Sequence, residues 1–129
     1  YGVSAYGSLS KYPKEKAVLQ IYFDTDPAKR AKMTSIILNE LNQFANEGPS
    51  AENLNKVKEF KLKKHKEDIK ENGYWLSVLD EYFWENTDMN TGYEDLVNSI
   101  TAKDLQKFTK ALLDQNNRVE VSMTSEEAK

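Results

Sequence analysis

His65 is the single histidine of the sequence, so it is the first residue to test for metal or acid–base chemistry. It lies within the run Lys63 to Glu67, and the only carboxylates beside it are those of Glu67 and Asp68. A zinc site needs several histidine, cysteine or carboxylate ligands that converge on one point, and the chain has no cysteine. We therefore predict no metal site, and a solvent-exposed histidine on a charged helix.

Nucleophilic and phosphate-binding motifs are also missing from the sequence. Ser4 follows Tyr1-Gly2-Val3, which is not the strand-to-helix elbow of a serine hydrolase, and no base partner is near it. Gly7 is followed by neither a second glycine nor a helix, as a phosphate-binding loop would require. We predict no catalytic residue in this chain.

The distribution of charge argues against two further classes of function. The net charge of −3 gives no broad basic face for nucleic acid, and no apolar run is long enough for a membrane span. Lysines are frequent from Lys56 to Lys70, but Glu59, Glu67 and Asp68 alternate with them at helical spacing. This pattern predicts a solvated helix with intrahelical ion pairs rather than a polyanion site.

An aromatic cluster between residues 74 and 84 is the most binding-like feature of the sequence. Helical periodicity places most of its members on one stripe, which we assign to the core: Trp75, Val78, Leu79, Tyr82 and Phe83. Tyr74 and Trp84 lie off that stripe. Because tryptophan and tyrosine are enriched at interaction hot spots, we predict that these two are interface residues.

The pattern of the whole chain predicts an α+β fold, with an antiparallel sheet packed against about five helices. The sheet consists of an N-terminal hairpin, whose second strand (residues 17–24) we expect to be central, and a last strand over residues 118–123. Asp26-Pro27, Ser50 and Thr101 are helix starts, and Gly48-Pro49 is a stop. Leu54, Val57 and Phe60 mark the apolar side of the second helix.

The first residues predict a strand that is already under way at Tyr1. We therefore expect one N-terminally truncated domain over residues 1–129 that belongs to a longer protein. Since residues 1–8 carry no charged side chain, an unprotected strand edge there predicts self-association of the fragment.

Three stretches of the sequence resemble the C-terminal half of the insulinase/pitrilysin family of zinc metallopeptidases, particularly periplasmic members from Bacteroides-like bacteria. These are Tyr1 to Ser10 with Leu19 to Pro27, Glu47 to Leu54, and Asn72 to Trp75 with Ile100 to Asp104. The resemblance implies a non-catalytic segment that encloses and positions peptide substrates against a catalytic N-terminal half of the same protein. It also implies a periplasmic or otherwise extracytoplasmic location.

The zinc of that family is bound in the N-terminal half by an inverted His-x-x-Glu-His motif and a distal Glu, none of which this chain contains. The C-terminal half supplies an Arg and a Tyr that contact the substrate, and Tyr1 matches that Tyr by position. The matching Arg would precede the chain. The alternative reading is an inactive family relative that acts as a scaffold or assembly subunit.

Overall fold

The computed structural model describes residues 2 to 124 and has an α+β architecture. It consists of two compact units, one formed by residues 2–46 with 108–124 and the other by residues 47–107. The elements in chain order are β1 (Val3–Ser10), β2 (Lys16–Phe23), a 3-10 turn (Pro27–Lys29), α1 (Arg30–Glu47), α2 (Ala51–Asp68), α3 (Asn72–Glu85), α4 (Tyr93–Ser99) and α5 (Ala102–Asp114). The predicted hairpin, five helices and fold class are confirmed.

The hairpin of the first unit pairs β1 with β2 in antiparallel register, with Val3 opposite Phe23 and Ser10 opposite Lys16. The rings of Tyr6 and Tyr22 meet edge to face at 6.1 Å on one side of it. Within the described residues β2 has β1 as its single partner, so its predicted central position is wrong. Apolar residues on both faces indicate that a strand can be covered, but they do not specify which strands lie beside it.

The start of α1 follows the prediction from sequence. The Asp26 carboxylate accepts a hydrogen bond from the Ala28 amide at 2.9 Å, and Pro27 occupies the first helical position. The apolar stripe of α1, Met33, Ile37, Leu41 and Phe44, is half-buried, and Ala45 beside it is buried. An amphipathic helix of this kind gains most of its stability from that packed side.

The predicted last strand does not form. Residues 118–123 have no strand pairing, and the side chains of Val119, Val121 and Met123 are more than four-fifths exposed. The Arg30 guanidinium donates a hydrogen bond to the Ser122 hydroxyl, which connects this segment to α1. Alternation of apolar residues favours an extended backbone, but a strand also needs a neighbouring backbone edge with which to pair.

In the second unit, α2 packs against α4. Its packed side is formed by Leu54, Lys58, Leu62 and His65, while Val57 and Phe60 are exposed, so the apolar side predicted from sequence is wrong for those two residues. The Lys58 ammonium donates to the Asn98 carbonyl oxygen at 2.7 Å. That carbonyl belongs to the last turn of α4, where a cation is favoured by the helix dipole.

The starts of α2 and α5 are capped by side chains identified in the sequence. The Ser50 hydroxyl accepts from the Asn53 amide at 3.2 Å at the start of α2. Before α5, the Thr101 hydroxyl accepts from the Asp104 amide at 3.2 Å, and the Asp104 carboxylate accepts from the Thr101 amide at 2.9 Å. This reciprocal arrangement is a capping box that satisfies two amides with no intrahelical partner.

Candidate functional site

His65 lies at the centre of a small aromatic cluster in the second unit. Its imidazole stacks on the Tyr93 ring at 4.2 Å and meets the Tyr74 ring edge to face at 5.6 Å. The residue is 9% exposed, so the predicted surface histidine is wrong. The prediction from sequence relied on the charged residues next to His65 in the chain. In the helix, however, His65 lies on the same face as Leu54, Lys58 and Leu62, and this face packs against α4.

Tyr74 is held by the same cluster and by the loop before α4. Its phenol donates a hydrogen bond to the Asn90 side-chain oxygen at 2.9 Å. Burial, followed by the negative charges that develop on Tyr93, Asp68 and Asp88, raises the pKa of Tyr74 above its ordinary value. The phenol therefore stays protonated and able to donate at neutral pH.

The loop that presents Asn90 is ordered by Asp88. Its carboxylate accepts hydrogen bonds from the amides of Asn90 and Thr91, both at 2.9 Å. These bonds, led by those from Thr91, lower the pKa of Asp88. The loop thus has its own local hydrogen-bonded structure, as expected for an Asx turn.

The residues of this cluster do not fit a zinc ion. Among residues 2 to 124 no group of three or more histidine and carboxylate side chains converges on one point. The surroundings of His65 are also unfavourable for zinc, because its ring packs against two tyrosine rings and not against carboxylates. The cluster is a packing motif without an acid–base pair.

The other side of α3 is exposed. Of the five residues predicted to form the core, Val78 is half-buried and the other four, Trp75, Leu79, Tyr82 and Phe83, are exposed. That prediction is wrong for those four, since helical periodicity identifies a stripe but not the element that covers it. Trp84 is 81% exposed, and the Trp75 indole donates to the Ile69 carbonyl oxygen at 2.8 Å.

The two predicted interface residues are not brought together by the fold. Tyr74 packs inside the second unit, whereas Trp84 lies ten residues further along the same helix, about 15 Å away along its axis, and is open to solvent. Their interface role stays a prediction. Tyr1, the predicted substrate-binding residue, lies outside the described residues.

A polar groove in the first unit was missed from the sequence. It is lined by α1 side chains and by Glu120 of the C-terminal segment: Arg30, Ala31, Thr34, Ser35, Leu38, Asn39 and Asn42. A signal was present in the sequence, because Thr34, Ser35, Asn39 and Asn42 are polar residues at helical spacing along α1. One arginine and one carboxylate among neutral amides and hydroxyls offer hydrogen-bond donors and acceptors but do not form a catalytic pair.

Comparisons with known proteins bear on the N-terminal half of the chain. Residues 1–60 match a family model described as the peptidase M16 inactive domain. A "zinc protease PQQL-like" protein of Arabidopsis thaliana is 31% identical over 61 residues, which are 47% of this chain and 6% of that protein. No solved structure matches. The two matches support the peptidase M16 family, and the term inactive supports the absence of a catalytic zinc centre from the matched residues.

Among residues 2 to 124, none of the helices could cross a membrane.

Proposed function

We propose that this chain is a non-catalytic segment of an M16 zinc metalloendopeptidase that helps to enclose and position peptide substrates. The observation that carries the proposal is the match of residues 1–60 to the inactive domain of that family. The one histidine of the described residues is compatible with a non-catalytic segment, because its ring packs against two tyrosine rings. A catalytic zinc would then be bound by the N-terminal half of the same protein, which is the proposed partner.

The hairpin β1–β2 is the element by which such a segment would face a peptide. β1 begins at Val3, and its side chains are exposed along its length. An extended peptide can lie beside an exposed strand, where backbone hydrogen bonds provide affinity. Tyr1 would donate its phenolic hydrogen to a carbonyl of the substrate near the bond to be cleaved.

We further propose a periplasmic or otherwise extracytoplasmic location and a bacterial origin of the type that the opening residues resemble. Fractionation of cells that express the full-length protein checks the location. Recovery of the protein in the cytoplasmic fraction contradicts it and leaves the proposed activity intact.

The experiment is a peptidase assay on the full-length protein and on Tyr1→Phe, with a fluorogenic peptide as substrate. Loss of the phenolic hydroxyl is expected to lower kcat/KM by on the order of a hundredfold, because misplacement of a substrate by about 1 Å has effects of that size. Tyr6→Phe is the matched control, since Tyr6 is a tyrosine of β1 whose side chain is exposed. Its activity is expected to equal that of the wild type.

Zinc content and melting temperature are measured for each variant, so that a loss of activity is not a loss of metal or fold. Wild-type activity of Tyr1→Phe removes Tyr1 from the mechanism. A full-length protein that binds zinc and cleaves no peptide, or that lacks the His-x-x-Glu-His motif, contradicts the peptidase assignment and favours the scaffold alternative.

A further inference from the structure

The exposed side of α3 carries a continuous apolar stripe. Its members recur at helical spacing over about two turns: Trp75, Leu76, Leu79, Tyr82 and Phe83. Phe83 is 80% exposed and Leu76 is 69% exposed, while Tyr74 and Val78 on the opposite side of the helix are half-buried. The helix therefore uses one side to pack within its unit and presents a second apolar side to solvent. We call these five residues the α3 stripe.

The segment of chain that contains the α3 stripe carries acidic side chains. Every charged residue from 71 to 102 is acidic: Glu71, Asp80, Glu81, Glu85, Asp88, Glu94 and Asp95. Asp80 lies four residues after Leu76 and three before Phe83, so it borders the stripe on the helix surface. Asp80 and Glu81 are exposed, and neither makes an ion pair within the described part of the chain.

We propose that the α3 stripe is a docking surface for a basic amphipathic helix of a protein partner. The 3.6-residue repeat of the stripe matches the side-chain ridges of another helix, and its length, about 12 Å from Trp75 to Phe83, accommodates two to three turns. Apolar residues of the partner cover the stripe, and a lysine or arginine beside them pairs with Asp80. The α3 stripe belongs to residues 47–107, and the proposal is independent of peptidase function.

Charge complementarity is the reason for a basic rather than a neutral or acidic partner. An apolar contact alone does not distinguish between partners, whereas a like charge placed against Asp80 would oppose binding. The expected complex is weak and transient, because one face of a short helix is smaller than the surface buried in a stable protein–protein interface.

The test uses the 129-residue chain and a designed helical peptide. The probe is a peptide of about 18 residues, long enough to be helical, with leucine at positions a and d of the heptad and lysine on either side of them. A matched peptide has glutamate in place of each lysine. Tryptophan fluorescence reports on the surface directly, because both tryptophans of the chain, Trp75 and Trp84, lie on α3.

Saturable binding of the lysine peptide with a blue shift is expected, together with at least tenfold weaker binding of the glutamate peptide. Leu79→Ser is expected to weaken binding of the lysine peptide at least tenfold, and Asp80→Asn to reduce its dependence on salt. Leu96→Ser is the matched control, since Leu96 is an exposed leucine on α4. Circular dichroism checks folding, and Leu76→Ser replaces Leu79→Ser if the latter unfolds.

Three results overturn the proposal. They are equal affinity for the two peptides, absence of saturable binding, and equal weakening by Leu96→Ser. Sedimentation velocity tests whether a second copy of the chain binds the α3 stripe instead. A concentration-dependent dimer that Leu79→Ser abolishes would assign the α3 stripe to self-association and remove the basic helix from it.

Discussion

Gly48 connects α1 to α2 in a backbone conformation that alanine adopts at a cost. Its φ is +75°, in the left-handed region, and a Cβ atom at this position would lie 3.1 Å from the Ala102 carbonyl oxygen. We expect Gly48→Ala to lower the free energy of unfolding by about 2 kcal/mol. About 1–2 kcal/mol of this comes from the left-handed conformation, partly offset by the less flexible unfolded chain, and the rest comes from the contact with the carbonyl.

The contact with Ala102 is costly because the opposing atom belongs to the backbone. A side-chain neighbour could rotate away, whereas the Ala102 carbonyl lies at the start of α5 and can move only with that helix. Because protein interiors are closely packed, a steric clash with a backbone atom shifts the neighbouring residues and is not relieved locally. The energetic penalty therefore depends on how firmly residue 48 and α5 are packed together.

The assay is urea unfolding of the 129-residue chain, followed by circular dichroism and by tryptophan fluorescence, which reports on residues 47–107. Gly92→Ala is the matched control, because Gly92 has φ +76° but its added Cβ would meet no atom within 4 Å. It is expected to lose about 1 kcal/mol, the conformational part alone. Gly73→Ala, inside α3 with open space around it, is expected to gain up to about 1 kcal/mol.

The difference between Gly48→Ala and Gly92→Ala isolates the contact with Ala102. If the two variants are equally stable, the close approach does not exist in solution. If Gly48→Ala matches the wild type, the left-handed turn between α1 and α2 is also refuted.

Four further predictions concern the caps and the aromatic cluster. The hydrogen bonds from Thr101 hold the pKa of Asp104 below its ordinary 3.8, so its stabilisation is complete above about pH 5 and decreases as the pH falls through the folded-state pKa. The stability gap between wild type and Asp104→Asn, measured by urea unfolding, should therefore be smaller at pH 2 than at pH 7. His65→Ala removes two ring contacts and should lower the free energy of unfolding by about 1–3 kcal/mol in the same assay. If His65 were exposed, the same substitution would change the free energy of unfolding very little. Spectrophotometric titration should lose a tyrosine step that lies above the ordinary range in Tyr74→Phe, because burial raises the pKa of that phenol. Equilibrium dialysis should detect no stoichiometric zinc on the chain, and binding that His65→Ala abolishes would contradict the assignment of that residue to packing.

Local signals in the sequence were sufficient for the ends of the helices. Asp26, Ser50 and Thr101 each accept the amide hydrogen bond expected of a cap, and Gly48 has the positive φ of a helix stop. These features depend on atoms within three residues of one another, so the local sequence specifies them. The family resemblance likewise rested on short runs, and the matched region includes the first of them.

Local sequence signals did not predict the surroundings of His65 and Tyr74. His65 was assigned to the surface from its lysine neighbours, yet it stacks on Tyr93, which lies 28 residues further along the chain. Tyr74 likewise donates to Asn90 inside its unit, a contact that the sequence pattern did not predict. Both placements have one cause, because the burial of a helical residue depends on which face meets another element and not on its neighbours in sequence.

By itself the sequence determined the α+β class and the starts and stops of the helices. Tertiary structure alone decided which side of each helix is covered. It buried His65 beside α4, exposed four of the five α3 residues that periodicity had assigned to the core, and left residues 118–123 without strand pairing. Periodicity follows from the geometry of a single element, whereas burial and strand pairing need a second element at the right place.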